Sequence, residues 1–427
     1  MRKAMGRSFA GGTPLSCIAL ATVVAIAVAS RSDADVVPNA PIPDSDPFYA
    51  QPDPMPDGLS GTILDSRAVT FTPFLGIPLP NPAWQLKYLS RDTFGQPIAA
   101  IATVVRPLVP SAIGPVLLSY QSAEDSLGNH CAPSHTLTGS TANGNTQAES
   151  AAYLPGLYAL GWTVVVPDHE GPYSVYGVGT LEGQITLDGI RAAESFAPLG
   201  LPGSATRVAM WGYSGGALAT AWAASLQPSY APELNVVGVA SGGTPADLKS
   251  AAEAFDSGLG NAFFSLGFSA VIGINRVYTD LVPDSILNDK GRAAVAALKD
   301  GCVGMTGDGS PAPTGHFADY ITIADPLNSP AALATYPKID LPQPGRTPTA
   351  EVYVYHSQLD ELIPIAGTDA MVQAWCTDGA KVHYYRGITG EHVSFAVTGG
   401  PDALLFLASR FAASPAALLP ATTQSCN

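Results

Sequence analysis

The segment Gly212-Tyr213-Ser214-Gly215-Gly216 places a serine between glycines in a G-x-S-x-G pattern, which is typical of a nucleophilic serine. The apolar residues 207–211 before it predict a strand, and residues 217–224 after it are good helix formers. A serine on a sharp strand-to-helix turn exposes its hydroxyl beside the backbone N–H groups of the helix N-terminus. Because such a pentapeptide also arises by chance in a chain with 43 glycines, catalysis further requires a base and an acid.

A histidine is the expected base, and in hydrolases with this turn it follows both the serine and the acid along the chain. Four of the seven histidines follow Ser214: His316, His356, His383 and His392. His383 lies in a strand pattern and is interpreted as structural, His316 falls in an interval without strands, and His356 precedes every acid candidate. His392 lies in a loop between the last predicted strand and a helix, so it is the predicted base.

Asp360 is the predicted acid, because it follows the predicted strand at residues 350–355, and the carboxyl ends of parallel strands face a ligand crevice. Asp369 and Asp378 fit less well, since they lie in or after the next predicted helix. Two plainer interpretations remain open at this point: Asp360 caps a turn, or His392 is a surface loop residue.

These residues together predict acyl transfer. Ser214 would attack an acyl carbonyl, His392 would accept the hydroxyl proton and return it to the leaving group, and Asp360 would fix the histidine tautomer. The N–H of Gly215 and one donor from a loop after an earlier strand would bind the oxyanion.

Length and composition indicate an exported, soluble protein. The first 34 residues combine basic residues at the start, an apolar run over residues 15–28 and small residues beyond it, which is typical of a cleaved signal peptide. Its removal takes the formal charge of the 427-residue chain from −15 to −18, so nucleic acid is excluded as a partner. The export signal predicts secretion.

Four cysteines remain after the signal: Cys131, Cys302, Cys376 and Cys426. An even number in an exported chain predicts two disulfides, with three pairings open. No C-x-x-C spacing occurs, and Asp168 with His169 lacks a third ligand at a suitable spacing, so no metal or other cofactor is expected.

Strand and helix patterns alternate along most of the chain and predict an α/β fold with a mainly parallel sheet. Residues 35–244 and 346–427 would form the two parts of one core. Residues 245–345 show helical pieces without an obvious strand and predict an inserted helical cap. Its apolar cluster around residues 263–272 is read as the core of the cap, with a patch for transient contact with a lipid interface as the alternative.

Several segments beyond the serine turn resemble the secretory lipase family typified by Candida antarctica lipase A, an α/β-hydrolase family. The resemblance covers residues 46–426 and rests on these segments: Asp46-Pro47-Phe48-Tyr49, Ser119-Tyr120-Gln121 with Glu124-Asp125, Cys131-Ala132-Pro133-Ser134, Pro167-Asp168-His169-Glu170-Gly171, Leu187-Asp188-Gly189-Ile190-Arg191 and the serine turn itself. It implies an α/β-hydrolase fold with a lid and a secreted triacylglycerol lipase that needs no cofactor or stable protein partner.

The resemblance also implies residue roles. Ser214, Asp360 and His392 take the same roles as in the residue-based prediction, and Asp125 becomes the second oxyanion donor beside Gly215. The implied disulfides are Cys131–Cys302 and Cys376–Cys426. An acyltransferase or a short-chain carboxylesterase would use the same three side chains, and a non-catalytic binding protein on this scaffold is a further alternative.

Overall fold

The computed structural model describes residues 36–37, 43–74, 76–412 and 424–426. The predicted export signal, residues 1–34, lies outside these described residues. The described chain forms one sheet of eleven strands. In chain order the strands are β1 (Val36–Val37), β2 (Ile63–Phe74), β3 (Ile77–Arg91), β4 (Pro97–Val105), β5 (Val116–Gln121), β6 (Thr163–Pro167), β7 (Arg207–Tyr213), β8 (Val236–Gly242), β9 (Val352–Ser357), β10 (Val382–Gly387) and β11 (Gln424–Cys426).

The centre of the sheet is parallel. The strands are ordered β1-β2-β3-β4-β6-β5-β7-β8-β9-β10-β11, and the six from β6 to β10 pair in parallel. An antiparallel meander, β2 to β4, extends one side, and β11 pairs antiparallel with β10 on the other. Parallel neighbours need crossover connections, which the helices between these strands provide.

Ten α-helices accompany the sheet in the described residues. They are α1 (Pro133–Thr136), α2 (Gly144–Ala159), α3 (Gly179–Ser195), α4 (Gly215–Tyr230), α5 (Leu248–Phe255), α6 (Phe264–Asn275), α7 (Asp289–Leu298), α8 (Pro330–Ile339), α9 (Ile365–Thr377) and α10 (His392–Phe411). One face of the sheet packs against α3, α4 and α9, and the other packs against α2 and α10. The site described below lies at the edge where the parallel strands end.

Strand β7 shows why the central strands read as continuous apolar runs. Val208 and Met210 belong to the core cluster on one face of the sheet, while Ala209 and Trp211 belong to the cluster on the other. Both faces are covered by helices, so every position in the strand after Arg207 is buried. The serine that follows this strand is therefore attached to a rigid, well-packed element.

Sequence patterning misses three strands, β1, β2 and β11. The first half of β2 is exposed or half-buried, and buried side chains begin only at Val69. With little apolar alternation over that half, β2 is held by its backbone pairing with β3 and does not show the strand pattern in its sequence. The two short strands, β1 and β11, lie at the sheet edges and carry too few residues for a periodic signal.

Residues 245–345, here called the cap segment, contain α5, α6, α7 and α8 and contribute no strand to the central sheet. By length and mean hydropathy, Gly258–Asn275 within it could cross a membrane. Phe264 and Phe268 are nevertheless buried in this segment, where their rings pack against Phe317 and Tyr320. These two phenylalanines are therefore core residues of the cap segment.

The structure contains both disulfides that the resemblance implies. Cys131–Cys302 joins the region before α1 to the cap segment, and Cys376–Cys426 joins α9 to β11. Among the described residues, one group of histidine, cysteine and acidic side chains is close enough to hold a metal ion: His130 with Cys131 and Cys302. Because its two sulfur atoms are bonded to each other, this group lacks thiolate ligands.

Candidate active site

Ser214 lies on the turn between β7 and α4. Its φ of 55° and ψ of −124° place it in the left-handed region, where a residue with a side chain is strained. The adjoining glycines allow this turn: a Cβ on Gly216 would lie 2.0 Å from the Gln121 carbonyl oxygen, and one on Gly212 would lie 2.2 Å from the Gly216 carbonyl oxygen. The Ser214 N–H donates to the carbonyl of Gly242, which fixes the turn to β8.

The structure brings together the three side chains that the sequence analysis selected. His392 Nε2 lies 2.8 Å from Ser214 Oγ, and His392 Nδ1 lies 2.7 Å from Asp360 Oδ2. Ser214 follows β7, Asp360 follows β9, and His392 follows β10 and opens α10. These parallel strands end at one edge of the sheet, which is where an open α/β sheet places its ligands.

Asp360 is held as a carboxylate. Burial alone would raise its pKa, but hydrogen bonds from His356 and His392 outweigh that effect and hold the pKa well below its usual range. Its Oδ1 also accepts from the backbone N–H groups of Leu362 and Ile363. Asp360 therefore caps its turn and also contacts His392, whereas His392 is buried at the start of α10 and is not a surface loop residue.

The ionised Asp360 determines the His392 tautomer. A carboxylate only accepts, so Nδ1 of His392 carries a proton and Nε2 is left to accept from the Ser214 hydroxyl. The backbone of His392 is fixed as well: Tyr213 donates its hydroxyl to the His392 carbonyl at 2.7 Å, and the His392 N–H donates to Glu361 at 3.1 Å. The hydrogen bonds to the carbonyl and to the N–H of His392 thus fix the backbone that carries the imidazole.

A second histidine, His356, also contacts Asp360. Its Nε2 lies 3.1 Å from Asp360 Oδ2 and 2.9 Å from the Ile363 carbonyl oxygen, so that nitrogen carries a proton. Its Nδ1 lies 2.8 Å from Thr368 Oγ1. His356 is fully buried and does not contact Ser214, so its role is to hydrogen-bond and orient the Asp360 carboxylate.

Two backbone N–H groups near Ser214 have no acceptor among the described residues. Gly215 opens α4, and Asp125 lies in the loop after β5 with a φ of 47°. Neither N–H donates to a described atom, which is the arrangement that a developing oxyanion would require. The Asp125 side chain also approaches the turn, since a Cβ on Gly215 would lie 1.8 Å from its Oδ1.

Burial raises the pKa of Asp125 to about 7, although His392 and a hydrogen bond with Tyr176 act in the opposite direction. Oδ1 of Asp125 is buried and has no hydrogen-bond partner among the described residues. The carboxyl therefore changes charge near neutral pH, immediately beside the serine turn.

A cavity of about 270 Å³ opens at these side chains. Ser214, His392 and Asp125 line one part of it. The rest extends among α5, α6 and α8 of the cap segment, where the lining is largely aliphatic and aromatic. An extended apolar group attached to a carbonyl at Ser214 therefore has a complementary space.

Asp168 and His169 make structural hydrogen bonds. Both oxygens of Asp168 accept from Ser134, one from its backbone N–H at 2.8 Å and one from its hydroxyl at 2.6 Å. His169 Nε2 lies 2.9 Å from the carbonyl oxygen of Ser122. These contacts tie the end of β6 to the loops that carry Asp125.

Comparison with known proteins places the chain in a family. Residues 137–418 match the family model described as secretory lipase. Lipase 5 of Candida albicans is 35% identical over 386 residues, which cover 86% of this chain and 81% of that protein. This chain belongs to the secretory lipase family.

A Mycobacterium tuberculosis member of the family, named "Probable inactive lipase", is 35% identical over 385 residues, covering 88% of this chain and 83% of that protein. Two X-ray structures of Candida antarctica lipase A, one in its closed state, are 27% and 28% identical with TM-scores of 0.79 and 0.81. Each comparison covers 90% of this chain and 91% of that one. The predicted α/β-hydrolase fold is confirmed.

Sequence reasoning missed three residues of this secretory lipase site: His356, Tyr176 and Glu149. His356 was set aside because it precedes the acid along the chain, although it reaches Asp360 four residues later. Tyr176 and Glu149 line the cavity from segments without a recognisable motif. For His356 the sequence contains one signal, which is a histidine at the end of a strand directly before the loop that carries Asp360.

Proposed function

We propose that this chain is a secreted serine ester hydrolase that acts on triacylglycerols through an acyl-enzyme intermediate at Ser214. One observation carries the proposal: the continuous contact from Asp360 through His392 Nδ1 and Nε2 to Ser214 Oγ. Membership of the secretory lipase family supports ester hydrolysis, and the predicted export signal at residues 1–34 and two disulfides support secretion.

In the acylation step, Ser214 Oγ attacks the ester carbonyl carbon while His392 Nε2 takes the hydroxyl proton. The carbonyl oxygen becomes an oxyanion and accepts hydrogen bonds from the N–H groups of Gly215 and Asp125. The bond to the alcohol oxygen then breaks, and His392 gives its proton to that oxygen. The alcohol leaves, and the acyl group remains on Ser214.

In the deacylation step, a water molecule takes the place of the alcohol. His392 removes a proton from the water, whose oxygen attacks the acyl carbonyl and forms a second oxyanion in the same position. The Ser214 oxygen leaves and recovers its proton from His392. The carboxylic acid is released, and Asp360 remains ionised throughout because it stabilises the imidazolium.

The cavity supports a long acyl chain as the substrate group. It extends from Ser214 into the cap segment, residues 245–345, which would act as a lid and acyl-binding region over the core formed by residues 35–244 and 346–427. Phe263 and Leu266 of the cap segment line it, and Phe263 is partly exposed. Contact of such exposed apolar side chains with a lipid interface belongs to the same proposal.

Kinetics of a serine variant test the proposal. Ser214→Ala should lower kcat for p-nitrophenyl esters and for emulsified triacylglycerol by about 10⁶, since the nucleophile is lost. Ser66→Ala, at an exposed serine of β2, is the matched control and should retain full activity. Equal activity of the Ser214→Ala variant and the control would reject the mechanism, and inactivity of the parent protein on all esters would favour a binding role.

A further inference from the structure

One face of helix α2 forms a wall of the cavity. Five of its residues line the cavity with helical spacing: Asn145, Ala148, Glu149, Ala152 and Tyr153. Residues three, four, seven and eight positions apart share one side of a helix. Asn145 and Glu149 are the members of this face that carry an amide or a carboxyl group, and they stand one turn apart in a largely apolar cavity.

Glu149 is anchored through one oxygen. Its Oε2 accepts from the Tyr120 hydroxyl at 2.9 Å and from the Ala123 backbone N–H at 3.1 Å. Its Oε1 makes no hydrogen bond with any described residue. Burial raises the pKa of Glu149 to about 8, so the group is protonated at neutral pH. Because Oε2 already accepts twice, the remaining oxygen, Oε1, is free to hydrogen-bond with a group in the cavity.

Asn145 offers a second free group. Its backbone N–H donates to Asn143 Oδ1 at 3.1 Å, which belongs to the start of α2. Its side-chain amide has no hydrogen-bond partner within the described ranges, although the residue lines the cavity and is half-buried. Four residues along a helix correspond to about 6 Å, so the amide and the Glu149 carboxyl can contact separate groups of one small molecule.

This wall faces the region where the alcohol portion of an ester leaves. His392 must reach the leaving oxygen, so that portion lies beside the start of α10. Val393 and Ala396 of α10 line the same cavity, and the Tyr153 hydroxyl donates to the Ala396 carbonyl, which ties α2 to α10. The part of the same cavity that lies within the cap segment is lined by apolar residues and is left for the acyl chain.

We propose that Asn145 and Glu149 form a hydroxyl-binding subsite for the alcohol portion of the substrate. The favoured substrates are polyol esters that retain a free hydroxyl, such as monoacylglycerols and diacylglycerols, over esters of simple alkanols. This inference rests on the proposed function at Ser214. A hydroxyl of the glycerol portion pairs with the amide or the carboxyl, whereas an alkyl group displaces water and leaves both groups unpaired, which is how polar sites discriminate.

The test compares two esters with the same acyl chain: 1-octanoylglycerol and n-propyl octanoate. The measured quantity is the ratio of their kcat/KM values, so a general loss of activity cancels. We expect the parent enzyme to prefer the glycerol ester about tenfold or more. Asn145→Ala should lower this ratio about threefold to tenfold, mainly through KM of the glycerol ester, because one hydrogen bond is lost.

Two variants at Glu149 separate hydrogen bonding from structure. Glu149→Gln keeps an acceptor for Tyr120 and Ala123 and presents a donor to the cavity, so it should retain the preference. Glu149→Leu should lose it. Gln147→Ala is the matched control on the same helix, since Gln147 does not line the cavity, and it should leave the activity and the ratio unchanged.

The outcomes are distinguishable from those of the proposed function. Equal ratios in the parent, Asn145→Ala and Glu149→Leu, with both esters hydrolysed, overturn the subsite and leave the Ser214 mechanism intact. A lost preference in Glu149→Gln as large as that in Glu149→Leu also overturns it, because the donor is present. If the parent hydrolyses neither ester, the proposed function fails and the subsite falls with it.

Discussion

At the scale of single residues, Asp125 brings a titratable carboxyl beside Ser214, the proposed nucleophile. Its Oδ1 lies against Gly215, its backbone N–H is free among the described atoms, and its carboxyl has a pKa of about 7. A neutral carboxyl is compatible with an oxyanion at Ser214, whereas an ionised one repels it. In the proposed mechanism, the same residue would supply a backbone donor to the oxyanion and place a titrating group beside it.

We predict that Asp125→Asn extends activity to higher pH. In the parent enzyme, ester hydrolysis should decline as the pH rises through about 7, because the carboxyl becomes an anion next to the developing oxyanion. Asparagine tolerates the left-handed backbone and cannot ionise, so the variant should exceed the parent about tenfold in relative rate at pH 9. The measurement is kcat/KM from pH 5 to pH 9.

The acid limb of the same profile is the internal control. At low pH the Asp125 carboxyl is protonated and uncharged like the asparagine amide, so the two proteins should have the same acid limb. Superimposable alkaline limbs in the parent and Asp125→Asn would contradict the predicted electrostatic role.

Single residues also show where sequence information ends. Ser214, Asp360 and His392 could be selected because nucleophile, acid and base occur in a known order after predicted strands. Glu149 and Tyr176 could not, because only tertiary packing brings α2 and the segment before α3 to the serine turn. Asp125 was found through the family resemblance, and its positive φ is a property of the folded loop.

At the scale of elements, the serine turn depends on how closely α4 approaches β5. Gly216 lies in the first turn of α4, with its Cα against the Gln121 carbonyl of β5. Strand β5 is fully buried, and α4 is buried from Gly215 to Gln227, so neither can move away. The strained backbone of Ser214 persists because these two elements hold the turn on both sides.

Gly216→Ala should therefore damage both catalysis and stability. A Cβ would lie 2.0 Å from the Gln121 carbonyl oxygen, so α4 must shift and carry Ser214 away from His392. We expect kcat/KM to fall about 100-fold or more and the midpoint of thermal unfolding to decrease. Gly144→Ala is the matched control, because a Cβ there meets nothing within 4 Å. Normal activity in Gly216→Ala would show that the turn tolerates displacement.

The sequence predicts some strands and helices better than others, because burial decides how clear their apolar pattern is. Strands β5 to β9 are buried on both faces over most of their length, so their apolar runs are visible in the sequence. The first half of strand β2 is exposed or half-buried, and the strand depends on pairing with β3, which local patterns do not encode. Helix α2 begins at Gly144, but polar residues such as Asn145 and Gln147 interrupt the apolar helical pattern in its first turns.

At the scale of the whole molecule, the core beneath the site holds several buried carboxyl groups. Burial raises the pKa values of Glu124 and Glu170 well above the usual range, and mutual repulsion among the acidic groups adds to this effect. Burial also raises the pKa of Glu182 to about 8 and lowers that of His169 to about 4. Although Glu182 Oε2 lies 3.8 Å from His169 Nδ1, both groups are neutral at pH 7 and form no ion pair.

These raised pKa values predict a protein that is most stable in mild acid. A glutamate with a pKa near 4.5 when unfolded and about 8 when folded stabilises the folded state below pH 4.5 and loses that contribution as the pH rises to 8. Each such group changes the free energy of unfolding by up to about 1.4 kcal/mol per pH unit in that window. Urea unfolding between pH 5 and pH 8 measures this slope.

Glu182→Gln should flatten the slope, because an amide cannot ionise and can still occupy the same buried place. The variant should gain stability relative to the parent at pH 8, with a much smaller difference at pH 5, where both side chains are neutral. Parallel stability curves for the two proteins over this range would contradict the assignment of a protonated Glu182.

In the proposed mechanism, Ser214 is a nucleophile activated by His392 and Asp360. Labelling with a fluorophosphonate probe is the most direct test of this role. The serine oxygen displaces fluoride from phosphorus and leaves a covalent adduct, which mass spectrometry of proteolytic peptides locates. The predicted result is one adduct per chain on the peptide that contains Ser214, with labelling lost in Ser214→Ala and strongly slowed in His392→Ala. An adduct on another serine, or ester hydrolysis that persists without any adduct at Ser214, would contradict the account.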